Sequence, residues 1–144
     1  MEPFPHHYSV QARAQATGSV ALSGPGLPPL SSSAPREFGG PGGEWSPESL
    51  LCAAVADCFV LTFRAIAQAS KLAWQGLEVD AVGTLDRAEG GMRFTAMRLR
   101  ARLQVPAGSD ASRAARLLEK AEKSCLVTRS LAFEPSLETE VQGA

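Results

Sequence analysis

The chain is poor in cysteine, histidine and net charge, and each scarcity removes a class of function. Three cysteines in 144 residues are too few for a disulfide scaffold, and the odd count leaves at least one thiol outside any intramolecular pair. The two histidines, His6 and His7, stand side by side with no second ligand pair nearby, so no zinc signature is present. Lys and Arg number 14 against 15 Asp and Glu, a formal charge of -1, which leaves no basic footprint for nucleic acid or an anionic membrane. No apolar run is expected to approach the roughly 20 residues of a membrane span, and MEPFPHHYSV has neither the basic start nor the apolar stretch of a secretory signal. The expectation is a cytoplasmic protein without nucleic-acid or membrane partners. Ser, His and Asp are too scattered for a hydrolase, and the glycines of GGPGG (39–43) lack the Lys and Ser/Thr of a phosphate-binding loop. No cofactor is implied.

What is present fits one domain over residues 1–144, large enough for a core and small enough to gain from association. Tyr8, Val10, Ala12 and Ala14 alternate with polar residues, and Val20–Leu22 can pair back across Thr17-Gly18-Ser19, which predicts an N-terminal hairpin. Residues 24–43, dense in Gly, Pro and Ser, read as a long connection. Ser46-Pro47-Glu48 then marks a helix start, with Ser46 as N-cap and Pro47 at the first helical position. Only Asp57 and Arg64 interrupt that helix before Lys71, so nearly every face is apolar and a buried central element is expected.

Two strands follow, 77–87 and 92–105, joined across Ala88-Glu89-Gly90-Gly91. Leu77, Val79, Ala81 and Leu85 share one face of the first strand, with Glu78, Asp80 and Asp86 on the other. In the second, Leu99, Ala101, Leu103 and Val105 oppose Arg98, Arg100 and Arg102, so acidic and basic rows can meet on the solvent side. A second helix is expected from Ser109 or Asp110 through Lys123, its apolar positions being Ala115, Leu117, Leu118 and Ala121. Another helical turn follows Cys125, and a last strand alternates from Phe133 to Val141, with Pro135 at its start or on an edge.

Peroxide reduction by thiols needs an attacking thiolate, a group that stabilises it, and a second thiol to resolve the sulfenic acid. Cys58 and Cys125 are the candidates, although periodicity alone favours Cys58 as a small core hydrophobe. Cys125 ends a helix beside Lys120 and Lys123, where a reactive and a structural thiol are both open. Cys52, six residues before Cys58 and off its face, reads as structural. Glu48 fits either a site or a favourable first-turn carboxylate. Trp45 and Phe38 flank the Gly-rich loop as pocket linings or anchors.

GGPGGEWSPESLLCAAVADCF resembles the Gly-rich loop, helix start and Ala-X-Cys-Phe of the OsmC/Ohr family, the osmotically induced and organic hydroperoxide resistance proteins. AEKSCLVTRSL resembles that family's second cysteine segment. The resemblance implies an α+β, OsmC-like intertwined homodimer, with antiparallel sheets around long central helices and two sites at the subunit interface. It implies a cysteine-based peroxidase acting on organic hydroperoxides with a dithiol or lipoylated protein as reductant. Cys58 would be the attacking thiolate, Cys125 the resolving thiol, and Glu48 the holder of an arginine beside the thiolate. One branch of the family carries that arginine in the turn of the N-terminal hairpin, but Ala16-Thr17-Gly18-Ser19-Val20 has none. Arg36, in APREFGGPGG, is the nearest substitute; Arg64, roughly 240° around the helix from Cys58, points away. The alternative is a non-enzymatic OsmC-like dimer that binds an apolar ligand at its interface pocket.

Overall fold

The computed structural model describes residues 1–143. The chain forms two compact units, Met1–Leu50 and a second that begins at Leu51.

The first unit holds a three-stranded antiparallel sheet of β1 (Gln11–Arg13), β2 (Val20–Ser23) and β3 (Leu30–Ser32). The predicted hairpin is present: Ala12 pairs with Leu22 across a turn in which Gly18 takes φ 95°, a left-handed conformation that suits glycine. The long connection differs from expectation, because β3 forms inside it and pairs Leu30 with Leu22. Only three residues extend there between proline-rich flanks, too short a run for alternation to show. Arg36–Phe38 adds a 3₁₀ turn closed by Gly39 at φ 82°.

Helix α1 (Pro47–Ala69) starts where the sequence predicts. The Ser49 N–H donates to Ser46 Oγ at 3.1 Å and the Ser46 N–H to Ser49 Oγ at 2.9 Å, a reciprocal cap that satisfies two backbone donors. The helix ends in a left-handed cap at Lys71 (φ 56°), with the Leu72 N–H on the Ala67 carbonyl. Two expectations for α1 are corrected. Its burial is confined to Val55, Phe59, Phe63 and Ala67, one stripe at a spacing of four, while Ala54, Leu61 and Ala65 are exposed. Within one chain, that stripe is covered fully, and flanking residues such as Cys52 and Ile66 are only partly covered. Its 18-residue mean hydropathy of 2.0 is also enough, by length and composition, to cross a membrane, since two charges barely lower the average of so apolar a segment.

The second unit is built on β4 (Gly76–Ala88), β5 (Gly91–Gln104) and β6 (Ser136–Gln142), in that order. β4 and β5 form the predicted hairpin around Glu89-Gly90, Gly90 taking φ 83°. Leu99, Ala101, Leu103 and Val105 are buried as their alternation predicts. Arg102 bridges Glu78 at 2.8 Å and Asp80 at 2.9 Å on the solvent side, so the charged rows do meet there. Leu85 departs from the expected face and is 37 % exposed. The register shifts between Thr84 and Leu85, leaving Thr95 unpaired on β5, and such a bulge turns the strand away from the core. Beyond Pro135, β6 runs parallel to β5 on the sheet edge, Leu99 opposite Leu137 and Leu103 opposite Val141.

A parallel neighbour requires a crossover, and α2 (Ala111–Ser124) provides it. Asp110 caps it by accepting from the Arg113 N–H at 3.1 Å. Its buried face is Ala114, Leu118, Ala121 and Glu122; Ala115 and Leu117 are only half-buried. These residues share one apolar core with the α1 stripe, Met97 and the inner face of β5, with Phe63 edge-on to Trp74 at 5.5 Å.

Candidate functional site

Cys58 lies about three turns into α1, half-buried, with Thr62 one turn further along the same face. Its Sγ is 3.8 Å from Thr62 Oγ1, within reach of a sulfur hydrogen bond. Arg64 is exposed, consistent with its position around the helix.

Cys125 is fully buried and forms the C-cap of α2, where the backbone turns extended (φ -65°, ψ 117°). The following segment folds back tightly. The Cys125 carbonyl accepts from Thr128 Oγ1 at 2.9 Å and from the Arg129 N–H at 3.1 Å, and Thr128–Ser130 forms a 3₁₀ turn. This is the helical turn expected after Cys125. It aims the N–H groups of Leu126 and Val127 at Cys58.

The two cysteines therefore meet thiol to thiol. Burial raises the Cys58 thiol, but hydrogen bonds from the Cys125 side chain, the Val127 N–H, the Thr62 hydroxyl and the Leu126 N–H outweigh it and hold Cys58 below the ordinary thiol value. Cys125 moves the other way. Burial and its hydrogen bond to Cys58 raise it, and the N–H and hydroxyl of Thr128 offset only part of that. The arrangement can hold one thiolate and one thiol side by side. Within residues 51–143, no arginine, lysine or histidine is among the groups acting on Cys58.

Cys52 is half-buried against the core and faces Gly83: a Cβ there would lie 2.9 Å from Cys52 Sγ and 2.7 Å from the Phe94 ring. Its packing is that of a structural residue. Arg36 and Glu48 belong to the first unit. Arg36 is exposed, its guanidinium lying where a side chain at Gly42 would stand. Glu48 Oε1 is buried and has no hydrogen-bond partner among the described residues, and Arg36 forms no ion pair with it. Trp45 lines an open cleft with Ser31, Gly43, Glu44 and Ser49, where Glu44 accepts from Ser19 at 2.7 Å and from Ser31 at 3.3 Å. That lining sets the Trp45 ring beside polar groups, polar and apolar surface in similar share. Phe38 is 49 % exposed and stands outside it.

Sequence reasoning passed over Thr62 and the Leu126–Val127 backbone. The spacing of four between Cys58 and Thr62 was a usable signal, whereas the aim of two backbone N–H groups depends on how the chain folds back after α2.

The family model described as OsmC-like protein matches residues 40–140. The chain is 31 % identical over 113 residues to the uncharacterized protein YmaD of Bacillus subtilis, covering 75 % of this chain and 74 % of that protein. It is 34 % identical over 95 residues to an organic hydroperoxide resistance protein of Xanthomonas axonopodis, covering 65 % of this chain and 64 % of that one. An organic hydroperoxide resistance protein OsmC from Legionella pneumophila superposes with a TM-score of 0.76 at 25 % identity, covering 96 % of this chain and 98 % of its own.

Proposed function

Since the chain belongs to the OsmC-like family, we propose that it is a thiol peroxidase that reduces organic hydroperoxides, a single OsmC-like domain working as a cytoplasmic homodimer. The observation that carries this reading is the Cys58–Cys125 contact, in which the two thiols are shifted in opposite directions. A lowered attacking thiol beside a resolving thiol that stays protonated is what the chemistry requires. The name of the Xanthomonas relative supports the substrate class.

In the first step the Cys58 thiolate attacks the terminal oxygen of ROOH. The S–O bond forms, the O–O bond breaks, and the alkoxide leaves as ROH after taking a proton. Cys58 is now a sulfenic acid. In the second, the Cys125 sulfur attacks Cys58 Sγ, the S–S bond forms, and hydroxide leaves as water with the Cys125 proton. An external dithiol, free or as a lipoyl group on a protein, then reduces the disulfide and becomes a disulfide itself. The net change is ROOH plus dithiol to ROH, water and oxidised dithiol.

Arg36 and Glu48 are assigned as the cation and its carboxylate holder on the family resemblance. Dimerisation is supported by the exposed Ala54, Leu61 and Ala65 face of α1, which one chain leaves uncovered.

The test is consumption of cumene hydroperoxide with dihydrolipoamide as reductant. Turnover that needs both the protein and the dithiol supports the reading. A protein that reacts with neither, yet is dimeric and takes up an apolar dye, is instead a non-enzymatic member of the fold with an apolar interface pocket.

A further inference from the structure

Cys58 lies well past the first turn of α1, where the positive end of the helix dipole is felt, so the helix start does not activate it. Its own backbone N–H and those of its helical neighbours are spent in the helix. Activation must come from groups that project at the sulfur, and one of these is a side chain no other part of the site uses. Thr62 stands four residues on, half-buried, with Oγ1 3.8 Å from Cys58 Sγ. A threonine in a helix ordinarily returns its hydroxyl hydrogen to the carbonyl four residues back. Here the hydroxyl meets the sulfur of that residue.

We propose that Thr62 is a thiolate-activating residue of this site, its hydroxyl donating to Cys58 Sγ alongside the N–H groups of Leu126 and Val127. The inference rests on the peroxidase reading for its chemistry and names an added residue for the same centre. A hydroxyl donor strengthens its bond as the thiol becomes a thiolate, because hydrogen bonds to a charged acceptor are roughly twice as strong as neutral ones. It favours the ionised form without a formal charge. Within residues 51–143 the titratable group that faces Cys58 is Cys125, from the end of α2; Asp57 and Arg64 on α1 and Arg129 after α2 are exposed and none acts on it.

The experiment compares the wild type with Thr62→Val, which keeps the shape and removes the hydroxyl, and Thr62→Ser, which restores it. The pH profile of Cys58 alkylation by iodoacetamide is followed by mass spectrometry, and peroxide consumption is measured in parallel. In Thr62→Val the alkylation midpoint moves upward, and the rate at pH 6 falls by about tenfold, converging to within about twofold of wild type above pH 10. Thr62→Ser follows the wild type. A Thr62→Val profile that overlays the wild type, or a loss equal at every pH, overturns the role of Thr62. If either occurs while peroxide is still consumed, the peroxidase reading stands without it. If the Thr62-dependent midpoint is found but no peroxide is consumed, the peroxidase reading fails and the assignment of Thr62 stands. Should Thr62→Val not fold, Thr62→Ser decides: a midpoint shifted upward despite its hydroxyl also overturns the assignment.

Discussion

The thiol of Cys125 donates to the sulfur of Cys58, and this contact lowers the Cys58 thiol while it helps burial to raise that of Cys125. Their roles differ accordingly. Cys58→Ser should abolish peroxide turnover, since a hydroxyl does not ionise in the working range. Cys125→Ser should still react once and then hold a sulfenic acid, seen by dimedone labelling and as one added oxygen in the intact mass.

The same opposition shapes stability against pH. Cys58 is depressed in the folded state, so its contribution is present above the ordinary thiol value and is lost as pH falls through the folded one. Cys125 is raised, so its contribution is complete below the ordinary thiol value and is lost as pH rises through the folded one. Reduced wild-type protein should therefore gain thiol-linked stability up to about the ordinary value and lose it above. Cys125→Ser should weaken the alkaline loss, measured as urea midpoints between pH 6 and 10.

Glu122 is buried in α2, and its carboxyl is raised first by burial and then by Glu134, with Lys123 opposing. A raised carboxyl gives stability that is complete below its unfolded value and lost as pH rises through the folded one. Glu122→Gln removes that loss. The variant should match wild type at acid pH and exceed it at pH 8 by of order 1 kcal/mol in urea denaturation.

Gly83 lets β4 approach Cys52 and Phe94 too closely for a side chain. Gly83→Ala should lower stability by roughly 1–3 kcal/mol, the usual range for overpacking, with a reduced urea midpoint and an unchanged slope. A neutral result would mean that Phe94 gives way freely.

Phe63 is fully buried and edge-on to Trp74. Phe63→Ala should cost about 3–5 kcal/mol and shift the emission of Trp74 by admitting water to its ring. Leu61→Ala, on the exposed face of the same helix, should change the monomer's stability little and report instead on assembly, by light scattering.

Much of this architecture was readable because its signals are local. Ser46-Pro47 fixes the start of α1, Gly90 fixes the β4–β5 turn, and the alternation from Leu99 to Val105 fixes the buried face of β5. β3 escaped because Leu30–Ser32 is too short to show a period between its prolines. The exposed side of α1 escaped because hydropathy records what a segment could bury and not how much neighbouring structure one chain supplies. At the site, both cysteines were found by their family-like surroundings. Thr62 has an ordinary helical spacing, and the Leu126 and Val127 donors belong to the backbone, which every residue possesses.

The parallel pairing of β6 with β5 also bears on how the protein is made. Synthesis runs from the N-terminus, so Cys58 leaves the ribosome well before Cys125, and β6, which completes the sheet beside α2, emerges last. Until that strand docks, the segment carrying Cys125 has no finished platform. Nascent Cys58 passes through this interval without its partner's hydrogen bond, so the lowered thiol described above belongs to the finished fold and not to the emerging chain.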